Sequence, residues 1–266
     1  MTEGPQAISL RGLFVSNVTM ANKPTILSTK AAEIAEELRS NVSTLTFTPP
    51  VHTVYNPLDY AWAPHQRYLT NYCRNRKKVV FLGMNPGPFG MMQTGVPFGE
   101  IAAVRDWMGI HEKVTKPRNE HPKKPISGFG CNRSEVSGRR LWGLFSQRYS
   151  SAQKFFKDNF VINYCPLVFL EEGGRNRTPD KLSKAEKTRL FDFCDQHLLD
   201  VVTLLKPQWL VGVGAFAMDR AVLCQNHLQA ETKVVQILHP SPASPAANRD
   251  WAGTVTRTLT EAGVWT

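Results

Sequence analysis

Four short apolar runs stand out along the chain: Lys78–Leu82, Phe160–Tyr164, Trp209–Val213 and Val234–Leu238. Each is rich in β-branched or aromatic residues, continuous rather than alternating, and bounded by Gly, Pro, Asn or basic residues. A continuous run implies burial on both faces, as in a parallel sheet covered by helices. Helical periodicity fills the gaps, over Glu135–Gln147, Lys184–Leu205 and Phe216–Leu228, and a last helix is predicted over Trp251–Ala262. Ahead of the first run, Ala31–Val42 carries Ile34, Leu38 and Val42 on one helical stripe, and Tyr60–Tyr72 is aromatic on one side. Strands alternating with helices in this way predict an α/β fold, a three-layer α/β/α sandwich with a central four-stranded parallel sheet and right-handed crossovers. Residues 1–30 show no sustained periodicity and are expected to be a loosely ordered arm, with 31–266 forming a single domain. Segments 86–134 and 166–183, rich in Gly, Pro and basic residues, read as long functional loops.

Composition narrows the function classes. With 42% hydrophobic and 20% charged residues in 266, global disorder is excluded. No apolar stretch approaches the roughly eighteen residues of a membrane span, and the first residues lack the layout of a secretory signal. A protein inside the cell, off the membrane, is therefore expected. The five cysteines are scattered and form no CxxC pair, which fits a reducing compartment. Lys and Arg number 32 against 22 Asp and Glu, a formal net charge of +10. Such a balance suits a polyanionic partner, nucleic acid first and an anionic membrane surface second, and equally a generally basic, soluble surface; composition alone does not choose between them.

Ligands of open parallel sheets bind beyond the carboxyl ends of the strands. Asn85 follows the first run, Asn163 lies in the second and His239 follows the fourth, so three neutral polar side chains converge on one edge. Singly, an Asn before Pro is a turn former and a lone His is structural. An amide inside an apolar run needs partners for both its ends, and the convergence strengthens all three. Gly212-Val213-Gly214-Ala215-Phe216-Ala217 mimics a dinucleotide fingerprint, but the next strand ends in His239 rather than in an acid for the ribose. A tight strand–helix turn explains it better. Cys194-x-x-His197 and Cys224-x-x-His227 sit in helical segments and read as buried cysteines with surface histidines rather than as a zinc site. Met84, Met91, Phe89 and Phe98 in and beside a Gly/Pro-rich loop suggest an apolar slot for a flat ligand.

Gly83–Gly99 (GMNPGPFGMMQTGVPFG), Asn163-Tyr164-Cys165-Pro166, Gly174-Arg175-Asn176 with Thr178-Pro179, and His239-Pro240-Ser241-Pro242 together resemble the single-strand-selective monofunctional branch of the uracil-DNA glycosylases. The similarity runs from about Tyr55 to Trp251. It implies a uracil-DNA glycosylase-like domain that flips uracil or 5-hydroxymethyluracil out of single- or double-stranded DNA and hydrolyses its N-glycosidic bond. Carried over, Asn85 positions the attacking water, Phe98 stacks on the base, Asn163 reads its Watson–Crick edge and His239 bonds its O2. Met84, Gly87 and Met91 line the pocket. Gly174, Arg175, Asn176 and Lys181 touch DNA, as do Ser241, Pro242, Ala243, Ser244 and Pro245. An arginine can follow the HPSP segment in this family; Ala243-Ser244-Pro245 follows it here, which weakens the expected wedge into the duplex. The resemblance also implies a monomer of nuclear location that needs no metal and no cofactor.

The residues themselves constrain the chemistry. Glycoside hydrolysis commonly employs two carboxyl groups, whereas the strand ends here carry amides and a histidine. Asn85 can orient water but is a poor base, so the reaction must rest on an oxocarbenium-like sugar and a stabilised leaving group. No Lys occupies a strand end to attack C1′, which predicts base release with the backbone left intact. Arg175, Arg177, Lys181, Lys123 and Lys124 fall in the loops expected to rim the active edge. Two alternatives stay open: a non-catalytic DNA-binding α/β module, and a mismatch-specific thymine or uracil glycosylase.

Overall fold

The computed structural model describes residues 23–228 and 231–266. Helix α1 (Ile26–Ser43) begins five residues before the predicted start at Ala31, because Thr25 and Ser28 form a capping box that satisfies its first donors. The rest of the predicted arm, up to residue 22, lies outside the described residues. Strand β1 (Val51–Tyr55) follows, then α2 (Pro57–Tyr60) and α3 (Trp62–Tyr72). Strand β2 (Val79–Gly83) leads into α4 (Met91–Thr94) and a π-helical turn, Ala103–Trp107. Helices α5 (Val136–Arg148) and α6 (Ala152–Asp158) precede β3 (Asn159–Asn163). Strands β4 (Val168–Glu171) and β5 (Asn176–Arg177) come next, and then α7 (Lys184–Leu205), β6 (Trp209–Val213), α8 (Ala215–Leu228), β7 (Lys233–Ile237) and α9 (Pro245–Glu261).

The four predicted strands pair in parallel in the order β3-β2-β6-β7. From β2 the chain first steps to one side, onto β3, and then crosses to β6 and β7 on the other. Right-handed connections therefore put α5 and α6 on one face and α7 and α8 on the opposite face. Strands β2 and β3 are buried along their whole length, as their continuous apolar runs require. The reversal of direction opens a crevice at the carboxyl end of β2. Among the described residues no helix is long and apolar enough to cross a membrane.

Three segments differ from the sequence expectation. Residues 166–183 are not simply a loop: β4 pairs antiparallel with β1 and with β5 in a second, three-stranded sheet. Strands β4 and β5 are four and two residues long, too short to show a period of two; β1 alternates in burial but turns the polar Thr53 inward, which hides the period in its sequence. Residues 86–134 contain α4, the π-helical turn and a short 3₁₀ turn at Gly128–Gly130. Helix α9 starts at Pro245, six residues before the predicted Trp251, with Ser244 as its cap. It is kinked at Asp250, whose φ of −157° and ψ of 75° leave the helical region. The Asp250 carboxylate accepts from the Gly253 N–H at 2.9 Å, so Trp251 opens a second helical segment.

Candidate active site

A cavity of about 360 Å³ opens where the carboxyl ends of β2, β3 and β7 meet the start of α5. Met84, Asn85, Gly87, Met91, Phe98, Asn163, Asn176, His239, Ser241 and Pro242 all line it. Gly174, Arg175, Lys181, Ala243, Ser244 and Pro245 do not. Arg175 and Lys181 point to solvent from the β4–β5 region, and Pro242, Ala243 and Pro245 are exposed beside the opening.

The loop after β2 is zipped to the segment after β3. The Tyr164 N–H donates to the Gly83 carbonyl at 2.9 Å and the Cys165 N–H to the Met84 carbonyl at 2.8 Å. One step further the Asn85 Nδ2 donates to the Leu167 carbonyl at 3.2 Å. A carbonyl can only accept, so this bond fixes which way the amide faces and leaves its Oδ1 free as an acceptor.

Asn163 closes β3. Its Nδ2 contacts the Met91 sulfur at 3.3 Å, a weak acceptor that holds the amino end. A Cβ on Gly83 would stand 2.4 Å from the Asn163 Oδ1 and 2.6 Å from the Phe98 ring, so glycine at the end of β2 is what lets both side chains close in. Phe98 has a positive φ of 52°, a conformation worth about 1–3 kcal/mol of strain in a non-glycine residue. Helix α5 holds it there: the Trp142 Nε1 donates to the Phe98 carbonyl at 3.0 Å, and Gly138 lies so close that a Cβ would sit 2.1 Å from the same oxygen.

His239 follows β7, its ring 6.3 Å from that of Phe98 and packed over Gly214. Burial lowers its pKa below the ordinary 6.5, so the imidazole is neutral at neutral pH. The segment after it is braced from two helices. Arg140 of α5 donates to the carbonyls of Pro240 and Ser241, each at 3.2 Å, and to the Asn248 Oδ1 at 2.8 Å. The Asn248 Nδ2 in turn donates to the Pro242 carbonyl at 2.9 Å. The Ser241 hydroxyl accepts from the Ala243 N–H at 3.2 Å.

Sequence reasoning missed two members of this assembly. Arg140 lay in a helix with nothing to mark its reach across to the HPSP segment. Glu135, the cap of α5, brings a carboxylate into the cavity wall that no strand end supplies. It lies along the first loop, where a Cβ on Gly87 would meet its Oε2 at 2.3 Å. Desolvation raises its pKa above 4.5, and the N–H groups of Ser137 and Phe89 partly offset this. The capping position was the available signal. Arg177 is committed internally, to Glu171 at 2.9 Å and to the Lys181 carbonyl.

The paired Cys/His spacings resolve differently from each other. Cys194 and Cys224 are buried and His227 is exposed, but His197 is half-buried. It faces a small cavity of about 40 Å³ that His65 also lines, and burial takes both histidines down to about 4. Among the described residues no three His, Cys, Asp or Glu side chains are gathered as a metal would need.

Comparison with known proteins gives consistent matches. The sequence pattern of the Uracil DNA glycosylase superfamily matches residues 70–258. A single-strand selective monofunctional uracil-DNA glycosylase of Rattus norvegicus is 49% identical over 233 residues, covering 87% of this chain and 84% of the relative. Its Bos taurus counterpart is 46% identical over 247 residues, covering 92% of this chain and 91% of the relative. Among solved structures, wild-type SMUG2 of Pedobacter heparinus superposes with a TM-score of 0.62 at 17% identity, covering 87% of this chain and 97% of its own, a likeness of fold.

Proposed function

This chain belongs to the uracil DNA glycosylase superfamily, and on that premise we propose that it hydrolyses the N-glycosidic bond of uracil and 5-hydroxymethyluracil in single- and double-stranded DNA, leaving an abasic site. The observation that carries the chemistry is the fixed amide of Asn85, whose free Oδ1 is positioned to hold a water. Flipping a nucleotide out of its stack costs roughly a few kcal/mol. Stacking on Phe98, worth about 1–3 kcal/mol for an aromatic platform, offsets much of that. Asn163 meets the base's reading edge, its orientation biased by the Met91 sulfur.

Bond cleavage then runs ahead of water attack. As the C1′–N1 bond stretches, positive charge grows on the sugar and negative charge on the uracil ring. Neutral His239 donates a hydrogen bond to O2 as that charge develops, an interaction stronger in the transition state than in the ground state. The water on Asn85 captures the sugar cation at C1′, and its proton passes to solvent or to the departing base. None of the described residues lining the cavity is a lysine, so no Schiff base forms and the backbone stays intact. One copy of the chain holds all of these groups, consistent with a monomer, and repair of genomic DNA sets its place in the nucleus.

The test is base release from oligonucleotides carrying one uracil, 5-hydroxymethyluracil or thymine, single-stranded and duplex, with EDTA present, read as alkali-labile sites. Uracil and 5-hydroxymethyluracil are released and thymine is not; Asn85→Ala binds the uracil oligonucleotide but releases almost nothing. No product from uracil overturns the assignment, and equal losses of binding and turnover in Asn85→Ala remove the water-positioning role.

A further inference from the structure

Phe89 lies at the tip of the loop that carries Asn85, half-buried, and two cations share its ring. The Lys124 Nζ stands 4.7 Å from the ring centroid and the Arg133 guanidinium carbon 4.0 Å. Neither cation has an acidic partner among the described residues. Glu135 is near, but its carboxylate accepts from backbone N–H groups, that of Phe89 among them, and so secures the base of the ring. Each cation is attracted to the shared ring while the two repel each other, and the pKa of Lys124 is lowered by burial and then by Arg133.

The presentation is rigid. Lys124 sits on a tight turn closed by a bridge to His121, and its carbonyl accepts the Tyr55 hydroxyl at 2.8 Å. The same turn is fastened to the β4–β5 turn, where His121 Nε2 meets the Glu172 carbonyl at 3.1 Å and Gly174 packs under Lys123. Lys123 adjoins Lys124 on this turn, and Arg175 follows Gly174 on the turn to which it is fastened, so further basic residues lie close to the pair. Two cations brought together without a counter-charge, on a platform held at its root, are arranged for an anion that arrives from outside.

We propose that Lys124 and Arg133, gathered on Phe89, form a clamp for the phosphate backbone of the DNA strand on the first-loop side of the cavity. DNA as the polyanion is taken from the function proposed above; the clamp itself stands on this geometry. It grips the strand next to the extruded nucleotide and makes no contact with the base, so it raises affinity without changing the chemical step.

The experiment compares wild type with the double variant Lys124→Gln/Arg133→Gln by fluorescence anisotropy. The probe is a labelled single-stranded oligonucleotide without uracil, titrated from 50 to 200 mM salt. Each lost phosphate contact removes about 0.7 from the slope of log affinity against log salt, so the variant's slope is shallower by about 1.4. Across that range wild type therefore loses about sevenfold more affinity than the variant. Lys124→Arg/Arg133→Lys keeps the wild-type slope, which separates lost charge from a disturbed loop. The single-turnover rate at saturating protein on a uracil oligonucleotide is the same for all three proteins. An unchanged slope in the Gln variant overturns the clamp, and so does a reduced slope in the charge-conserving variant. If wild type binds DNA but releases no uracil, the proposed function fails while the slope still decides the clamp.

Discussion

At the scale of single residues, the site depends on what is missing as much as on what is present. Gly83 is the clearest case, since both Asn163 and Phe98 occupy the space its Cβ would take. Gly83→Ala is expected to push both away by about 1 Å and to lower base release about 100-fold, a typical penalty for groups misplaced by that much. The measurement is single-turnover uracil release beside a thermal melt. A variant with normal activity places Asn163 and Phe98 outside the base site. His239 gives a pH prediction. Its pKa is lowered, so the neutral form persists below the ordinary 6.5 and is lost only as pH falls further. The second-order rate constant on uracil DNA is expected to be flat from pH 7 to 8 and to fall on an acid limb below 6.5. An acid limb above 6.5, or a rate that rises with acid, assigns the imidazole another role. Asn85, Asn163 and His239 were legible in the sequence because a strand end followed by a polar residue is a local pattern. Glu135 and Arg140 were not, since each acts across a gap that only tertiary packing closes.

At the scale of elements, start signals were read less well than interiors. Lys184–Leu205 and Trp209–Val213 match the predicted bounds, for each is long or continuously apolar and sharply punctuated. The starts of α1 and α9 were set too late because caps extend a helix beyond its apolar stripe. The cap of α7 carries its own prediction. Glu186 accepts from the Ser183 hydroxyl at 2.7 Å and from the Thr48 N–H at 2.7 Å, which joins the approach to β1 to the start of α7. Led by the Ser183 hydrogen bond, these contacts hold its pKa down at about 2 against the usual 4.5. A depressed carboxylate stabilises the fold above its unfolded value, and that contribution disappears as pH falls through about 2. Glu186→Gln is therefore expected to lower Tm at pH 7, with a difference from wild type that shrinks between pH 4.5 and 2. Gln keeps one acceptor, so the loss is that of the charge at an exposed helix start, about 0.3–1 kcal/mol. Equal melting temperatures at pH 7 count against the cap.

At the scale of the whole molecule, the net charge of +10 is directional in its effect. Lys154 and Lys157 are exposed on α6, which feeds the amino end of β3, the edge of the sheet away from the cavity. Neutralising both is expected to leave the salt slope of DNA binding unchanged, whereas Arg175→Ala lowers it by about 0.7 on single strands. Equal effects from the two changes identify a diffuse basic surface instead. The cavity itself is drawn from distant stretches of chain. Asn85, Glu135, Asn163 and His239 are brought together only by the β3-β2-β6-β7 order, in which the last strand to emerge carries the histidine. A chain cut short before β7 keeps Asn85, Glu135 and Asn163 but lacks both His239 and the Asn248 brace. The cavity is thus completed only by the last strand to leave the ribosome, and a fragment ending before β7 is expected to release no base from a uracil oligonucleotide.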